Sequence, residues 1–170
     1  MPEARTRPPV VRPSRQGDAS RLAAFFRDFW RESGPGALGF AGAKQESLEE
    51  IAAPEFLKRR LSSPVLMIVV AEDGPKIIGM ATARKTTQRE CEMVGIAVLK
   101  EKSGTGLDSR LARKTLELAR KRGLSSVNAR VGAADERAAS FYRNAGFTES
   151  GKVSGTRRNS PMRVLEKRLA

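Results

Sequence analysis

Between Gly95 and Asp108 the chain reads Gly-Ile-Ala-Val-Leu-Lys-Glu-Lys-Ser-Gly-Thr-Gly-Leu-Asp: an apolar run meets a glycine turn and passes at once into a helical pattern. A buried strand joined this tightly to a helix demands a sheet with that helix packed on it. Glycines let backbone approach a ligand closely, and the first-turn amides of a helix favour an anion, a diphosphate above all. No Gly-Lys-Ser/Thr follows, so the turn is not a Walker loop, and Gly104 and Gly106 lack the third glycine of a dinucleotide fingerprint. Packing at a helix start explains the turn equally well.

The flanking pattern sets the fold class. Val10 to Arg12 opens a first strand, and Asp18 is placed to cap a helix over 19–32. The apolar face of that helix is Leu22, Phe25, Phe26, Phe29 and Trp30. Residues 33–43 contain four glycines and a proline and read as a loop. A second helix, roughly 46–61, carries a Ser47/Glu50 capping box, with Pro54 marking a kink or break. Strands are expected over 65–72, 76–85 and 89–99, the first two joined by Asp73-Gly74-Pro75. After Gly106 one helical face carries Leu107, Leu111, Thr115, Leu118 and Ala119, and Gly123 ends the helix. A strand over 125–131, a helix over 135–145 closed by Gly146, and a hairpin of 147–153 and 162–169 complete the chain. The expectation is a single α+β domain over 10–170, its mixed and mostly antiparallel sheet flanked by helices, after a basic disordered tail at 1–9.

Composition excludes several alternatives. No apolar run reaches the length that spans a bilayer, and the proline-interrupted residues 1–15 fit neither a signal nor a transit peptide. One cysteine, Cys91, and no histidine argue against a disulfide, a zinc site or a Ser-His triad. No metal is expected, and the cytoplasm is the default compartment. The net charge is +13, of which residues 1–15 and 151–170 carry 3 and 5. This charge implies solubility or an anionic partner, either nucleic acid or a phosphate-bearing cofactor.

A second stretch, Asp135-Glu-Arg-Ala-Ala-Ser-Phe-Tyr-Arg-Asn-Ala-Gly-Phe147, sharpens the reading. Together with Gly95–Asp108 it resembles the GNAT superfamily of acyl-CoA-dependent N-acyltransferases. That family carries Q/R-x-x-G-x-G/A at a helix start, and about 30 residues later N-x-x-A-x-x-[L/F]-Y-x-x-x-G-F. The match is sharpest from Ala138 to Phe147. This chain departs at three positions. Ser103 replaces the long Q/R donor, Asp108 the second Gly/Ala, and Asp135 the Asn. Asp108 suits the helix dipole but repels a diphosphate if it faces the turn; Lys100, Lys102, Arg110 and Arg143 can offset that repulsion.

The resemblance implies a V-shaped cleft between the strand ending at Val98 and the strand over 125–131. Acetyl-CoA is the implied co-substrate. Its pantetheine amides would pair along Ile96, Ala97 and Val98, with the Val98 amide polarising the thioester carbonyl. Its diphosphate would sit on Ser103, Gly104, Thr105, Gly106, Leu107 and Asp108, with Asp135 and Arg143 nearby. Tyr142, the only tyrosine, would protonate the leaving thiolate, although a core aromatic is the plain alternative. An amine acceptor needs a base, because an ammonium is not nucleophilic. Glu92 lies six residues before Val98, so strict alternation puts it on the same face as Ile96 and Val98. It is either that base or a surface carboxylate paired with Arg84, Lys85 or another cation. Glu90 shares its parity, and Cys91 points the other way, into packing.

The implied activity is direct acetyl transfer to a primary amine of a small molecule or protein, in a ternary complex. Acceptor contacts are expected from 33–43 and 154–160. The oligomeric state stays open, a homodimer included. The rival reading, a basic nucleic-acid-binding module on the same fold, is disfavoured because its cations are not interleaved with stacking aromatics.

Overall fold

The computed structural model describes residues 7–34, 47–157 and 160–169. In chain order the elements are β1 (Val10–Pro13), a 3-10 turn (Gln16–Asp18), α1 (Ala19–Ser33), α2 (Leu48–Ile51), α3 (Pro54–Leu61), β2 (Leu66–Asp73), β3 (Lys76–Lys85) and β4 (Glu90–Val98). There follow a 3-10 turn (Lys100–Lys102), α4 (Leu107–Lys121), β5 (Ser126–Gly132), α5 (Glu136–Asn144), β6 (Thr148–Arg157) and β7 (Ser160–Arg168). The strands form one sheet in the order β1-β2-β3-β4-β5-β7-β6. Every neighbouring pair is antiparallel except β4 and β5. The strand that feeds the glycine turn must return through α4 to reach β5, and such a crossover yields a parallel pair.

The expected apolar stripes form the core. Leu22, Phe25 and Phe26 are buried, with Phe29 and Trp30 packed at the edge. On α4 the buried face is Leu107, Leu111, Ala112, Thr115, Leu116 and Ala119, while Leu118 is only partly buried. A Cβ on Gly79 would meet Leu111 Cδ1 at 3.1 Å, so α4 lies on the sheet face that Gly79 presents. Helix α1 packs on β3 and against α3.

Three expectations change in detail. The helix over 46–61 is two helices: the Ser47–Glu50 box starts α2, and Pro54 opens α3 at its first turn, where its missing N–H costs nothing. Asp18 precedes α1, yet its carboxylate does not cap that helix. It accepts two hydrogen bonds from the Arg12 guanidinium, each 2.8 Å, and one from the Arg15 amide at 2.7 Å. The last hairpin is longer than expected, with β6 reaching Arg157 and β7 starting at Ser160. Most of the 33–43 loop lies outside the described residues. No described helix is long and apolar enough to cross a membrane.

Candidate active site

The site begins with a split in the sheet. β4 and β5 pair from Glu90↔Ser126 to Met93↔Ala129 and no further. Beyond that point each stays tied to its outer neighbour, β4 to β3 as far as Val98↔Gly79 and β5 to β7 as far as Gly132↔Met162. The sheet therefore opens into a V, one arm made by Val94–Val98 and the other by Arg130–Gly132. The Leu99 amide donates to the Ile78 carbonyl, toward β3. Alternation along an antiparallel edge then turns the amides of Ile96 and Val98 toward the gap. Sequence reasoning singled out Val98 for the thioester oxygen; the register offers Ile96 as a second donor, closer to the fork.

A bulge beside the fork corrects the alternation argument for Glu92. Ala83 pairs with Met93 and Thr82 with Gly95, so Val94 is an extra residue and the alternation resets across it. Paired residues share a face. Ile96 and Val98 accordingly share the α4 face with Ala81 and Gly79, whereas Glu92 lies on the other face with Arg84, Asn128 and Ala97. Glu92 is half-buried between two cations. Arg84 donates to its Oε2 at 3.1 Å, and the Arg130 Nε to its Oε1 at 2.6 Å. Arg84 was foreseen as a partner; Arg130 was not. Its signal was present in Ser126-Val-Asn-Ala-Arg130, where the polar residues occupy every second position of an otherwise apolar strand. Glu90 lies further from the gap, paired with Ser126. Cys91 is fully buried, and burial pushes its thiol up to about 11, so it packs and offers no thiolate.

At the other end of β4, Ser103, Gly104, Thr105 and Gly106 form an exposed turn. Gly104 and Gly106 have φ of 74° and 81°, and a Cβ on either would meet nothing within 4 Å. The turn is thus shaped by left-handed backbone and open to solvent. Thr105 Oγ1 donates to the Lys102 carbonyl at 2.6 Å, and Leu107 is buried as the helix anchor. Asp108 folds onto its own helix end, its Oδ1 accepting from the Ser109 amide at 2.8 Å. One first-turn amide is thereby taken. Of the four cations near the motif, Lys102 pairs with Asp73, Arg110 donates to the Pro9 carbonyl, and Arg143 holds Glu136 and Glu149. A groove of about 570 Å³ begins at Ser109 and runs along α4, lined by Arg113, Arg120, Asn144 and Lys167.

Asp135 caps α5, its carboxylate accepting from the Ala138 amide at 3.0 Å, which is the part an Asn would play there. Tyr142 is wedged edge-on between Phe141 and Phe147, with ring centroids 5.3 and 5.2 Å away. Burial pushes its hydroxyl up to about 12. It therefore stays protonated throughout the neutral range, the state a proton donor needs.

A split sheet with amides aimed into the gap and a glycine turn at a helix start defines an acyltransferase-type scaffold. The family model for the acetyltransferase (GNAT) family matches residues 22–147. The chain belongs to that family and is an acetyltransferase. No curated protein matches it. Among solved structures it is similar to the PaiA N-acetyltransferase of Thermoplasma acidophilum in complex with coenzyme A, at 18% identity and a TM-score of 0.67, covering 95% of this chain and 99% of that one. A GNAT-family acetyltransferase from Streptococcus pneumoniae shows 22% identity and a TM-score of 0.71, with 95% and 99% covered. Spermidine N-acetyltransferase from Vibrio cholerae, in complex with CoA and spermine, shows 18% and 0.68, with 94% and 95% covered. These likenesses establish the fold.

Proposed function

We propose that the chain transfers an acetyl group from acetyl-CoA to a primary amine by direct attack in a ternary complex. The observation that carries this is the split between β4 and β5, which leaves the Ile96 and Val98 amides facing an open strand edge. An extended amide-bearing chain adds to such an edge as a strand would. Residues 103–108 fit a diphosphate through Gly104 and Gly106 and the remaining first-turn amides, with Ser103 adding no long donor. The groove beyond Ser109 carries Arg113, Arg120 and Lys167 against one carboxylate, Glu117, a net positive lining that suits the anionic nucleotide portion. CoA supplies the activated thioester; the protein supplies alignment and protons.

In this reading the amide of Val98 or Ile96 stabilises charge on the thioester oxygen as the amine attacks. Glu92, about 10 Å along the strand from Ile96 by strand rise, receives the ammonium proton through water. Its two arginines hold it in place, and each carboxylate oxygen keeps a lone pair for that water. Tyr142 protonates the departing sulfur. Asp135 and Arg143 serve this site indirectly, by capping and bracing α5. The test is free-thiol release from acetyl-CoA with a panel of amines. Tyr142→Phe keeps the ring between Phe141 and Phe147, and should cut turnover by roughly 10²- to 10⁴-fold. The loss should shrink as pH rises past about 8.5, where a thiolate leaves unaided. Near-native turnover of this variant across the whole range would remove Tyr142 from the mechanism.

A further inference from the structure

We infer that the end of the sheet remote from the glycine turn docks on double-stranded nucleic acid through its phosphate backbone. The two ends of the sheet use their cations differently. At the end that carries the glycine turn, carboxylates match them: Lys76 pairs with Asp28 and Glu101, Lys102 with Asp73, and Arg21 with Glu72. At the other end the ladders set Lys85 opposite Cys91, Glu90 opposite Ser126, and Ser126 opposite Arg168. The Arg89 carbonyl accepts from the Ser125 amide, and Arg122 donates to the Leu66 carbonyl, so both belong to this end. Helix α3 closes there too, with Arg59 exposed in its last turn. Among the described residues, Arg59, Lys85, Arg89, Arg122 and Arg168 have no carboxylate in ion-pair range. Glu55 and Glu117 are taken by Lys58 and Lys121, which leaves Glu90 as the carboxylate in their midst. Five cations less one carboxylate give +4.

Helix ends do not account for this surplus. The C-terminal dipoles of α3 and α4 amount to about half a charge each, and Lys58, Arg60, Arg120 and Lys121 already serve those last turns. Between the two helix ends lies a cavity of about 510 Å³, where Ser62, Lys85 and Arg122 stand over Met67 and Leu124 with no carboxylate in the lining. It shares no residue with the cofactor groove along α4. From Lys85 the row continues through Arg89 to Arg168 across the ends of β3, β4, β5 and β7. Strands lie about 4.8 Å apart, so the row is roughly 14 Å long. A small anion meets two of these cations at most, whereas a duplex, with one charge per about 1.7 Å of its axis, meets them all. Bilayer insertion has little to use here: the large apolar side chain exposed at this end is Val65 alone among the described residues. Unstacked bases find no platform on α3 either, because Phe56 is part-buried with the Arg60 guanidinium 5.5 Å above its ring. Backbone contact with a duplex is what remains.

The test uses the full chain and fluorescence anisotropy with a short labelled DNA duplex. The matching RNA duplex, the single strands and vesicles of anionic phospholipid are the other arms. With about four phosphates neutralised, the log–log salt slope on DNA should be about −3.6, a loss of roughly 10²-fold between 50 and 200 mM salt. Lys85→Gln with Arg122→Gln should reduce that slope by about 2, and so should Arg89→Gln with Arg168→Gln. Each pair is read at an unchanged melting temperature, and either suffices if the other impairs folding. Saturating acetyl-CoA should not displace the duplex. Binding of either duplex in this manner supports the inference, and the tighter one names the source. Displacement by acetyl-CoA would place the duplex in the cofactor groove and overturn it. So would a slope that falls with Arg5→Gln and Arg7→Gln but not with the two pairs. Single strands bound as tightly as the duplex, vesicles bound in its stead, or no binding at 50 mM salt would overturn it as well. None of these outcomes touches the acetyl-transfer reading, which thiol release tests separately.

Discussion

Two arginine–carboxylate clusters in this molecule use the same chemistry in different settings. Where β1 meets β2 and α1, Arg12 holds Asp18 at 2.8 Å and Glu72 at 3.0 Å, and Arg21 holds Glu72 at 2.8 Å. Arg12 and Asp18 are nearly buried, with side chains 12% and 5% exposed. At the fork, Glu92 is as well paired, but its arginines are half in solvent. The first cluster turns inward, and both partners depend on each other because water cannot replace either. The second turns outward, its cations in contact with water. Burial of the cation separates a clamp on the fold from an exposed pair that contributes little to stability.

The largest effect should come from breaking the clamp. Arg12→Met leaves Asp18 only the Arg15 amide and Arg21 at 3.5 Å, and should cost about 3 kcal/mol, in the range for removing one partner of a buried pair. The melting temperature should then fall by roughly 6–12 °C for a chain of this size. Arg84→Gln should leave it within about 1 kcal/mol of the parent, as for exposed pairs. Equal losses in thermal unfolding would erase the contrast between the clusters. Acid should find the clamp as well. Hydrogen bonds from Arg12 hold the Asp18 carboxyl below its usual range, and those from Arg12 and then Arg21 do the same for Glu72. Their folded-state values lie below the unfolded ones, so their contribution is complete above about pH 4–4.5. It is lost as pH falls through the lower folded values. In Arg12→Met this acid-dependent part of the unfolding profile should flatten.

At the fork the effect should appear in rate and not in stability. Glu92→Gln should lower turnover by about 10²-fold, most at low pH where free amine is scarce, while melting stays close to the parent. A variant that melts early but turns over normally would make Glu92 a second clamp. The smallest effect is expected at the turn. Asp108→Gly removes a carboxylate and frees the Ser109 amide, so CoA should bind up to about tenfold tighter, or 1.4 kcal/mol, by titration calorimetry. Unchanged affinity would mean that Asp108 stands clear of the diphosphate.

The architecture was legible because its signals are local. Helix periods, the Ser47–Glu50 box, the glycine turn and the Ala138–Phe147 motif each lie within a dozen residues and act through their own backbone. Asp135 could likewise be read as the capping residue of α5. The face of Glu92 could not be read in this way. Alternation has a period of two only while no residue is added, and the bulge at Val94 shows itself only when β4 is counted against β3.

What the amino-acid order determined alone is therefore most of the list of elements, the family, and the residues of the glycine turn and of α5. The tertiary structure alone decided where the ladder between β4 and β5 stops, which face Glu92 occupies, and that Arg84 and Arg130 converge on it. It also turned Asp18 from a helix cap into a partner of Arg12 and joined Arg12 to Glu72, 60 residues apart in sequence. Hydrogen-bonded ladders and charged side chains choose partners by distance in space, and no local pattern encodes that distance.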